Sequence, residues 1–144
     1  YYFYFMFDIL LFIGNNITTI PSGIGNLSSL QQLYLDDNQI TTIPSEIGNL
    51  SSLKELYLHY NQITKLPPEL GLISSLKVLY LHRNPLISPP MEIAKRTTSM
   101  FYYEWFLFIL DYVLNYLKDL IKGGKPLYHF KFVVIGETLA GKTT

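Results

Sequence analysis

The sequence predicts an α/β chain in which a solenoid of stacked repeats is followed by one helix and the beginning of a second domain. Two observations carry this prediction. A 23-residue period runs through residues 4–95, and a glycine-rich octet at residues 136–143 follows an apolar run. Between them, residues 100–122 have helical periodicity. We therefore expect a repeat domain, a connector helix, a linker at 123–127 and the truncated start of a second domain at 128–144.

The period is defined by residues that recur in phase. Four asparagines and four prolines repeat at the same interval, namely Asn15, Asn38, Asn61, Asn84, Pro21, Pro44, Pro67 and Pro90. The surrounding residues follow L-x-x-L-x-L-x-x-N-x-I/L, which is the pattern of a leucine-rich repeat. The first repeat is degraded and has Phe7, Leu10 and Phe12 at leucine positions. We expect about four repeats, and they must stack because none can bury its apolar face alone.

Within each repeat, the residue types indicate which way the side chains face. In Leu33-Tyr34-Leu35 the side chains alternate, so that the leucines point inward and Tyr34 points outward. Asn38 ends the strand and turns inward, where its amide can bond backbone groups of adjacent coils. The Ile-Pro step that ends at Pro44 favours extended or polyproline structure on the convex side, not a full helix.

The outward strand positions of successive repeats form columns on the concave face. Because neighbouring strands lie about 4.8 Å apart, the three tyrosines of one column make a contiguous aromatic strip. Tyrosine beside mixed charges is typical of a protein-binding surface. The candidate partner-binding residues are Tyr34, Tyr57, Tyr80, His59, Tyr60, His82 and Arg83. The alternative is simple repeat copying, since tyrosine is a common strand residue.

Composition narrows the function classes. Eleven basic and eleven acidic residues give zero net charge, which argues against a nucleic-acid-binding protein. There is no cysteine, so the chain has neither a disulfide framework nor a thiolate metal site. His59 and His82 could begin a metal site, but no third ligand is apparent. Segment 1–13 is apolar but lacks the basic region and cleavage site of a signal peptide, and it is shorter than the roughly 20 residues of a membrane span.

The segment before the second domain reads as an amphipathic helix. Its polar residues are spaced to share one face: Glu104, Asp111, Asn115, Lys118 and Lys122. Gly123-Gly124 supplies a C-terminal stop. We interpret the helix as a cap on the open end of the solenoid that also packs on the next domain. The polar stripe opposes a membrane span, and contact with a membrane surface is the less favoured alternative.

The octet Gly136–Thr143 matches the phosphate-binding pattern G-x-x-x-x-G-K-[ST] in full and follows an apolar strand at residues 130–135. In such a loop the backbone N–H groups cradle phosphates. Lys142 would reach the β- and γ-phosphates, and Thr143 would bind Mg²⁺. The predicted nucleotide-binding residues are Gly136, Glu137, Thr138, Leu139, Ala140, Gly141, Lys142, Thr143 and Thr144. Because the following helix should begin at the last residue, we expect the chain to be a fragment.

The order of these parts resembles the Roco family, in which leucine-rich repeats precede a Ras-like GTPase domain called Roc and a dimerisation domain called COR. Stretches similar to that family lie at residues 84–86, 88–93, 109–112, 116–120 and 132–143, and the resemblance covers about residues 14–144. Residues 99–108 are inserted relative to the family pattern. The resemblance implies GTP or GDP with Mg²⁺ as ligands, GTP hydrolysis by the full-length parent, and a homodimeric parent. The switch regions and the guanine-reading N-K-x-D motif would lie beyond Thr144, so we do not expect this fragment to be catalytic.

The same features bear on the cellular location of the protein and on two other possible classes of function. The 23-residue repeat with an I/L-P step resembles intracellular leucine-rich repeats of the Ras-binding type, which favours the cytoplasm. Three glycosylation sequons, at Asn16, Asn26 and Asn49, favour secretion instead, although N-L-S also arises from the repeat consensus. The main alternative function is a non-enzymatic repeat module for protein interaction with a vestigial octet. An immune-sensor ATPase is disfavoured because such proteins usually carry their repeats after the nucleotide-binding domain.

Overall fold

Four short parallel strands form one sheet in the part of the chain described by a computed structural model, residues 8–88 and 102–124. They pair in chain order, and they are β1 Ile9–Leu11, β2 Gln32–Tyr34, β3 Glu55–Tyr57 and β4 Val78–Tyr80. The register aligns equivalent residues of each repeat, so Leu33 pairs with Leu56 and Leu56 with Leu79. The predicted solenoid of in-phase repeats is confirmed, and its strands pair in parallel.

Short 3₁₀ helices form the side of each coil opposite the sheet. They are η1 Ser22–Asn26, η2 Ser45–Asn49 and η3 Pro68–Leu72. Each begins directly after a proline in extended conformation, such as Pro44 with φ −69° and ψ 150°. The Ile47 N–H then donates to the Pro44 carbonyl at 3.1 Å, which closes the tight turn. The extended step predicted at the repeat prolines is therefore present at Pro21, Pro44 and Pro67. The sequence had not predicted the single 3₁₀ turn that follows it.

The core is a column of aliphatic side chains enclosed between the sheet and the 3₁₀ helices. Leu33, Leu56 and Leu79 are buried at the middle of their strands. Phe12, predicted to occupy a core position, is 40% exposed, whereas its equivalent Leu35 is 3% exposed. The difference arises because, in the described part of the chain, the first coil packs against a neighbour on one side only.

Inward-facing asparagines, of which Asn38 and Asn61 are buried, connect each coil to the one before it. The Asn61 side-chain oxygen accepts from the Ile40 N–H at 2.9 Å. Its amide nitrogen donates to the carbonyls of Leu35 at 2.9 Å and Leu58 at 3.1 Å. Asn38 and Asn84 make the equivalent bonds one repeat earlier and later. The inward amide predicted from the sequence thus satisfies backbone groups that would otherwise be buried without partners.

A helix, α1 Tyr102–Ile121, packs against η3 and β4 at the far end of the sheet. Its buried side chains are Leu110, Val113, Leu114 and Leu117. A Cβ on Gly71 of η3 would lie 3.0 Å from the Leu117 Cβ. A Cβ on the equivalent Gly48 would meet the Glu69 carbonyl oxygen of the next coil at 2.6 Å. Against η3, α1 therefore occupies the position that a further repeat would take.

Candidate functional site

The concave face of the sheet carries a ladder of stacked tyrosines. The rings of Tyr34 and Tyr57 have centroids 4.2 Å apart and planes 10° apart. Tyr57 and Tyr80 continue the stack, with centroids 4.9 Å apart and planes 27° apart. The strand register places these residues opposite one another at about the inter-strand spacing, so the rings meet face to face. The register of the strands therefore forms the tyrosine ladder in the free protein.

A second stack lies beside the first, one outward position further along the strands. His59 and His82 have ring centroids 4.6 Å apart and planes 21° apart. The ring of Tyr60 meets both histidines edge-on, with centroids 5.6 Å from His59 and 5.5 Å from His82. Tyr80 also meets His59 and His82 edge-on. Six of the seven predicted partner-binding residues thus form one continuous aromatic surface, and the seventh, Arg83, follows His82 directly in the chain.

Charged side chains lie next to the histidine stack. The Nε2 of His59 lies 3.7 Å from the Asp36 Oδ2, and the other Asp36 oxygen and the His59 Nδ1 are buried without a hydrogen-bond partner in the described region. Burial lowers the pKa of His82, and the neighbouring His59 and Arg83 lower it further. Protonation of this histidine is therefore opposed, and at neutral pH His82 presents an uncharged ring.

The central tyrosine of the ladder is held as a hydrogen-bond donor. The Tyr57 hydroxyl donates to the Glu55 Oε2 at 3.0 Å. Burial raises the pKa of Tyr57 above its ordinary value, and the bond to the Glu55 carboxylate adds to the effect. Asp36 and Glu55 were not among the predicted partner-binding residues. The repeat period could have indicated them, because Asp36 occupies the outward position of His59 one repeat earlier and Glu55 lies two residues before Tyr57 on the same strand face.

Three residues other than glycine at the edge of the concave face have left-handed backbone conformation. Asp37, Tyr60 and Arg83 have φ values of 59°, 54° and 58° and occupy the same position in successive repeats. Left-handed conformation is uncommon for residues other than glycine, and aspartate tolerates it better than tyrosine or arginine. Each of them immediately precedes an asparagine of the buried ladder. The turn therefore places a variable side chain at the edge of the face and the asparagine in the core.

A separate apolar cavity of about 470 Å³ lies at the β1 end of the solenoid. Its lining is Leu10, Phe12, Ile17, Thr19, Ile20, Pro21, Gly23, Ile24, Leu27, Leu33 and Leu35. None of these side chains is titratable, so the cavity offers no acid–base or metal-ligand chemistry. It is the end of the hydrophobic core.

Residues 8–88 and 102–124 contain no group of three or more histidine, cysteine, aspartate or glutamate side chains that could hold a metal ion. They also contain no helix with the length and apolar character that crossing a bilayer requires.

The predicted phosphate loop lies outside the described residues. This applies to all of its members: Gly136, Glu137, Thr138, Leu139, Ala140, Gly141, Lys142, Thr143 and Thr144. Nucleotide and Mg²⁺ binding at these residues therefore stays a prediction, as does the linker at residues 123–127 beyond Gly124.

Comparison with known families identifies the repeat part. Residues 9–98 match the family described as leucine-rich repeat region, and the chain belongs to that family. A comparison with curated proteins finds no match.

Solved structures of repeat proteins are similar to the same part of the chain. A leucine-rich repeat protein of Leptospira interrogans is 38% identical with a TM-score of 0.56, over 61% of this chain and 22% of that one. An internalin of Listeria monocytogenes is 35% identical with a TM-score of 0.50, over 55% of this chain and 22% of that one. A plant peptide hormone receptor, RGFR1 in complex with RGF2, is 39% identical with a TM-score of 0.51, over 54% of this chain and 13% of that one. The matched region thus spans less than a quarter of each of these proteins.

Proposed function

We propose that the concave face of the solenoid binds a segment of a protein partner. The observation that carries the proposal is the pre-formed stack of Tyr34, Tyr57 and Tyr80 beside the His59–His82 pair. Stacking and the bond from Tyr57 to Glu55 restrict the rings in the free protein. Little side-chain entropy is then lost on binding, which is the main advantage of a pre-organised surface. Tyrosines, which combine apolar area with a hydroxyl, are enriched among the residues that dominate binding energy.

The similar structures support a protein ligand for this surface. RGFR1, a plant peptide hormone receptor, was solved in complex with RGF2. We propose that the same kind of surface serves a peptide or a protein segment here.

Selection of displayed peptides tests the proposal. The immobilised 144-residue chain would be challenged with a library of random peptides, and affinities of the enriched peptides would be measured by fluorescence anisotropy. We expect Tyr57→Ala or Tyr80→Ala to weaken binding about tenfold or more, as for a residue at the centre of an interface. Leu72→Ala, an exposed apolar truncation in η3, is the control and should have no effect. Enriched peptides whose affinity is unchanged by Tyr57→Ala would contradict the proposal.

A second function is proposed for the full-length parent: binding of GTP or GDP with Mg²⁺ at residues 136–144, as part of a cytoplasmic, homodimeric GTPase of the Roco type. It is supported by the complete octet after an apolar strand and by the order of repeats, helix and octet. The competing proposal is a non-enzymatic interaction module in which the octet has no ligand.

Titration of the full-length protein with fluorescent guanine and adenine nucleotides separates the two. Lys142→Ala should abolish guanine nucleotide binding, because it removes the cation expected at the β- and γ-phosphates. Tyr57→Ala is the control and should leave nucleotide affinity unchanged. Affinity that survives Lys142→Ala, or a preference for adenine, would overturn the GTPase proposal.

A further inference from the structure

The edge of the concave face carries opposite charges two coils apart. Asp37, Tyr60 and Arg83 occupy one column, at the point where each coil leaves its strand. The column changes from an acidic to an aromatic to a basic residue in consecutive repeats. All three residues are exposed. Adjacent coils are bonded here, since the Asp37 N–H donates to the His59 carbonyl at 3.1 Å and the Tyr60 N–H to the His82 carbonyl at 3.1 Å.

The neighbouring column does not cancel this polarity. Asp36 adds a second carboxylate to the acidic end, and its close partner is His59. His82 lies at the basic end, where burial and the nearby Arg83 keep its pKa low. Neither Asp37 nor Arg83 takes part in a salt bridge within the described residues, where the one ion pair is that of His59 with Asp36. Both charges are therefore exposed and available to a ligand.

We infer that this edge selects an extended peptide segment that carries a basic residue over Asp37 and an acidic residue over Arg83. The inference rests on the proposed protein-binding function of the concave face. Two inter-strand steps separate the charges, about 10 Å. An extended chain advances about 3.3–3.6 Å per residue, so the two charged ligand residues would be about three positions apart. The residues between them would lie over Tyr60, whose side chain is 50% exposed, and would be apolar or aromatic.

Charge complementarity of this kind determines partner choice more than affinity. Exposed ion pairs contribute little each and are screened by salt. A ligand with two like charges, however, would place one of them against a like charge of the protein. The polarity thus disfavours uniformly acidic and uniformly basic segments and favours those with both signs.

The test repeats the peptide selection with variants of the two charged residues. Asp37→Asn and Arg83→Asn remove one charge each, and asparagine tolerates the left-handed conformation at both positions. We expect the unaltered chain to enrich peptides with a basic and an acidic residue about three positions apart. Asp37→Asn should remove the preference for the basic residue, and Arg83→Asn the preference for the acidic one. Each substitution should lower the affinity of a wild-type-selected peptide about threefold at low salt, with a smaller effect at high salt.

Matched controls lie elsewhere on the molecule. Lys77→Asn removes an exposed cation at the opposite end of β4, and Asp111→Asn removes an exposed carboxylate on α1. Neither should change the selected sequences. Circular dichroism of every variant would establish that the fold is kept.

Three outcomes would overturn the inference. The first outcome is peptides whose binding is lost with Tyr57→Ala but whose sequences show no charge pattern. This result would contradict the charge selectivity and still support binding at the concave face. The second outcome is peptides whose affinity is unchanged by Tyr57→Ala. This result would contradict the proposed function as well as the charge selectivity. Self-association of the chain in sedimentation experiments that is abolished by Arg83→Asn would assign the edge to a second copy of the protein instead.

Discussion

The amide of Asn61 donates a hydrogen bond of 2.9 Å to the carbonyl oxygen of Leu35, which lies 26 residues earlier and one coil away. The same side chain accepts from the Ile40 N–H and donates to the Leu58 carbonyl. One residue therefore joins two coils through buried backbone groups. The relationship explains why a solenoid with only three residues per strand keeps its register.

We predict that Asn61→Ala lowers the free energy of unfolding by about 2–4 kcal/mol, because it leaves several buried backbone groups without partners. Urea denaturation followed by circular dichroism would measure it. Asn15→Ala is the matched control, since Asn15 is exposed and, within residues 8–88 and 102–124, its amide bonds only the nearby Ile13 carbonyl. Its effect should stay below about 0.5 kcal/mol. Equal losses from the two substitutions would contradict the role assigned to the buried ladder.

Gly71→Ala should weaken the packing of α1 on the solenoid. The added Cβ would lie 3.0 Å from both the Leu117 Cβ and the Lys118 backbone nitrogen, so the helix must shift. We expect a loss of about 1–3 kcal/mol, typical of overpacking. The control Gly23→Ala adds a Cβ with nothing within 4 Å. Hydrogen exchange should become faster in α1 for the first variant and remain unchanged for the second. Unchanged exchange in both would mean that α1 is not held against η3 as described.

Stability should fall on mild acidification because of His82. Its pKa is lowered in the folded state, so below about pH 6.5 the unfolded chain binds a proton that the folded chain resists. Stability therefore decreases as pH falls through this value and is unaffected by His82 above it. Melting temperatures of the protein and of His82→Gln, compared between pH 7.5 and pH 5, would measure the effect. The variant should show a shallower decrease. Identical decreases would exclude His82 as a source of the pH dependence.

Alkaline pH should reveal the partly buried hydroxyl of Tyr57. Its pKa is raised by burial and by the bond to Glu55, so it should ionise after the exposed tyrosines. Tyrosine in the unfolded chain ionises near pH 10, and stability is therefore lost as pH rises through that value. Tyr57→Phe keeps the stacked ring and removes the hydroxyl. A titration of tyrosinate absorbance should lose its last-titrating group in this variant. Loss of an early-titrating group instead would contradict the assignment.

Much of the candidate site could be predicted from the sequence, because a strict repeat fixes the register of neighbouring strands. Once Tyr34, Tyr57 and Tyr80 are known to be in phase, their contact follows from the strand spacing alone. The bond from Tyr57 to Glu55 could not be predicted in this way, because it depends on rotamers chosen within the folded coil. The contact between His59 and Asp36 is of the same kind. The tilt of each ring also depends on its neighbours, as the planes of Tyr34 and Tyr57 differ by only 10° and those of Tyr57 and Tyr80 by 27°.

The sequence by itself determined the repeat, its buried leucines and asparagines, and the charges along the edge from Asp37 to Arg83, because each depends only on periodicity and residue type. It also contains the octet at residues 136–143 as a motif. The tertiary structure decided how the coil closes after Pro44 and which residues α1 packs against at the end of the solenoid. Both depend on distances between chain segments: the 3₁₀ turn forms because the coil must return within a few residues, and the helix fits because Gly71 leaves room for Leu117.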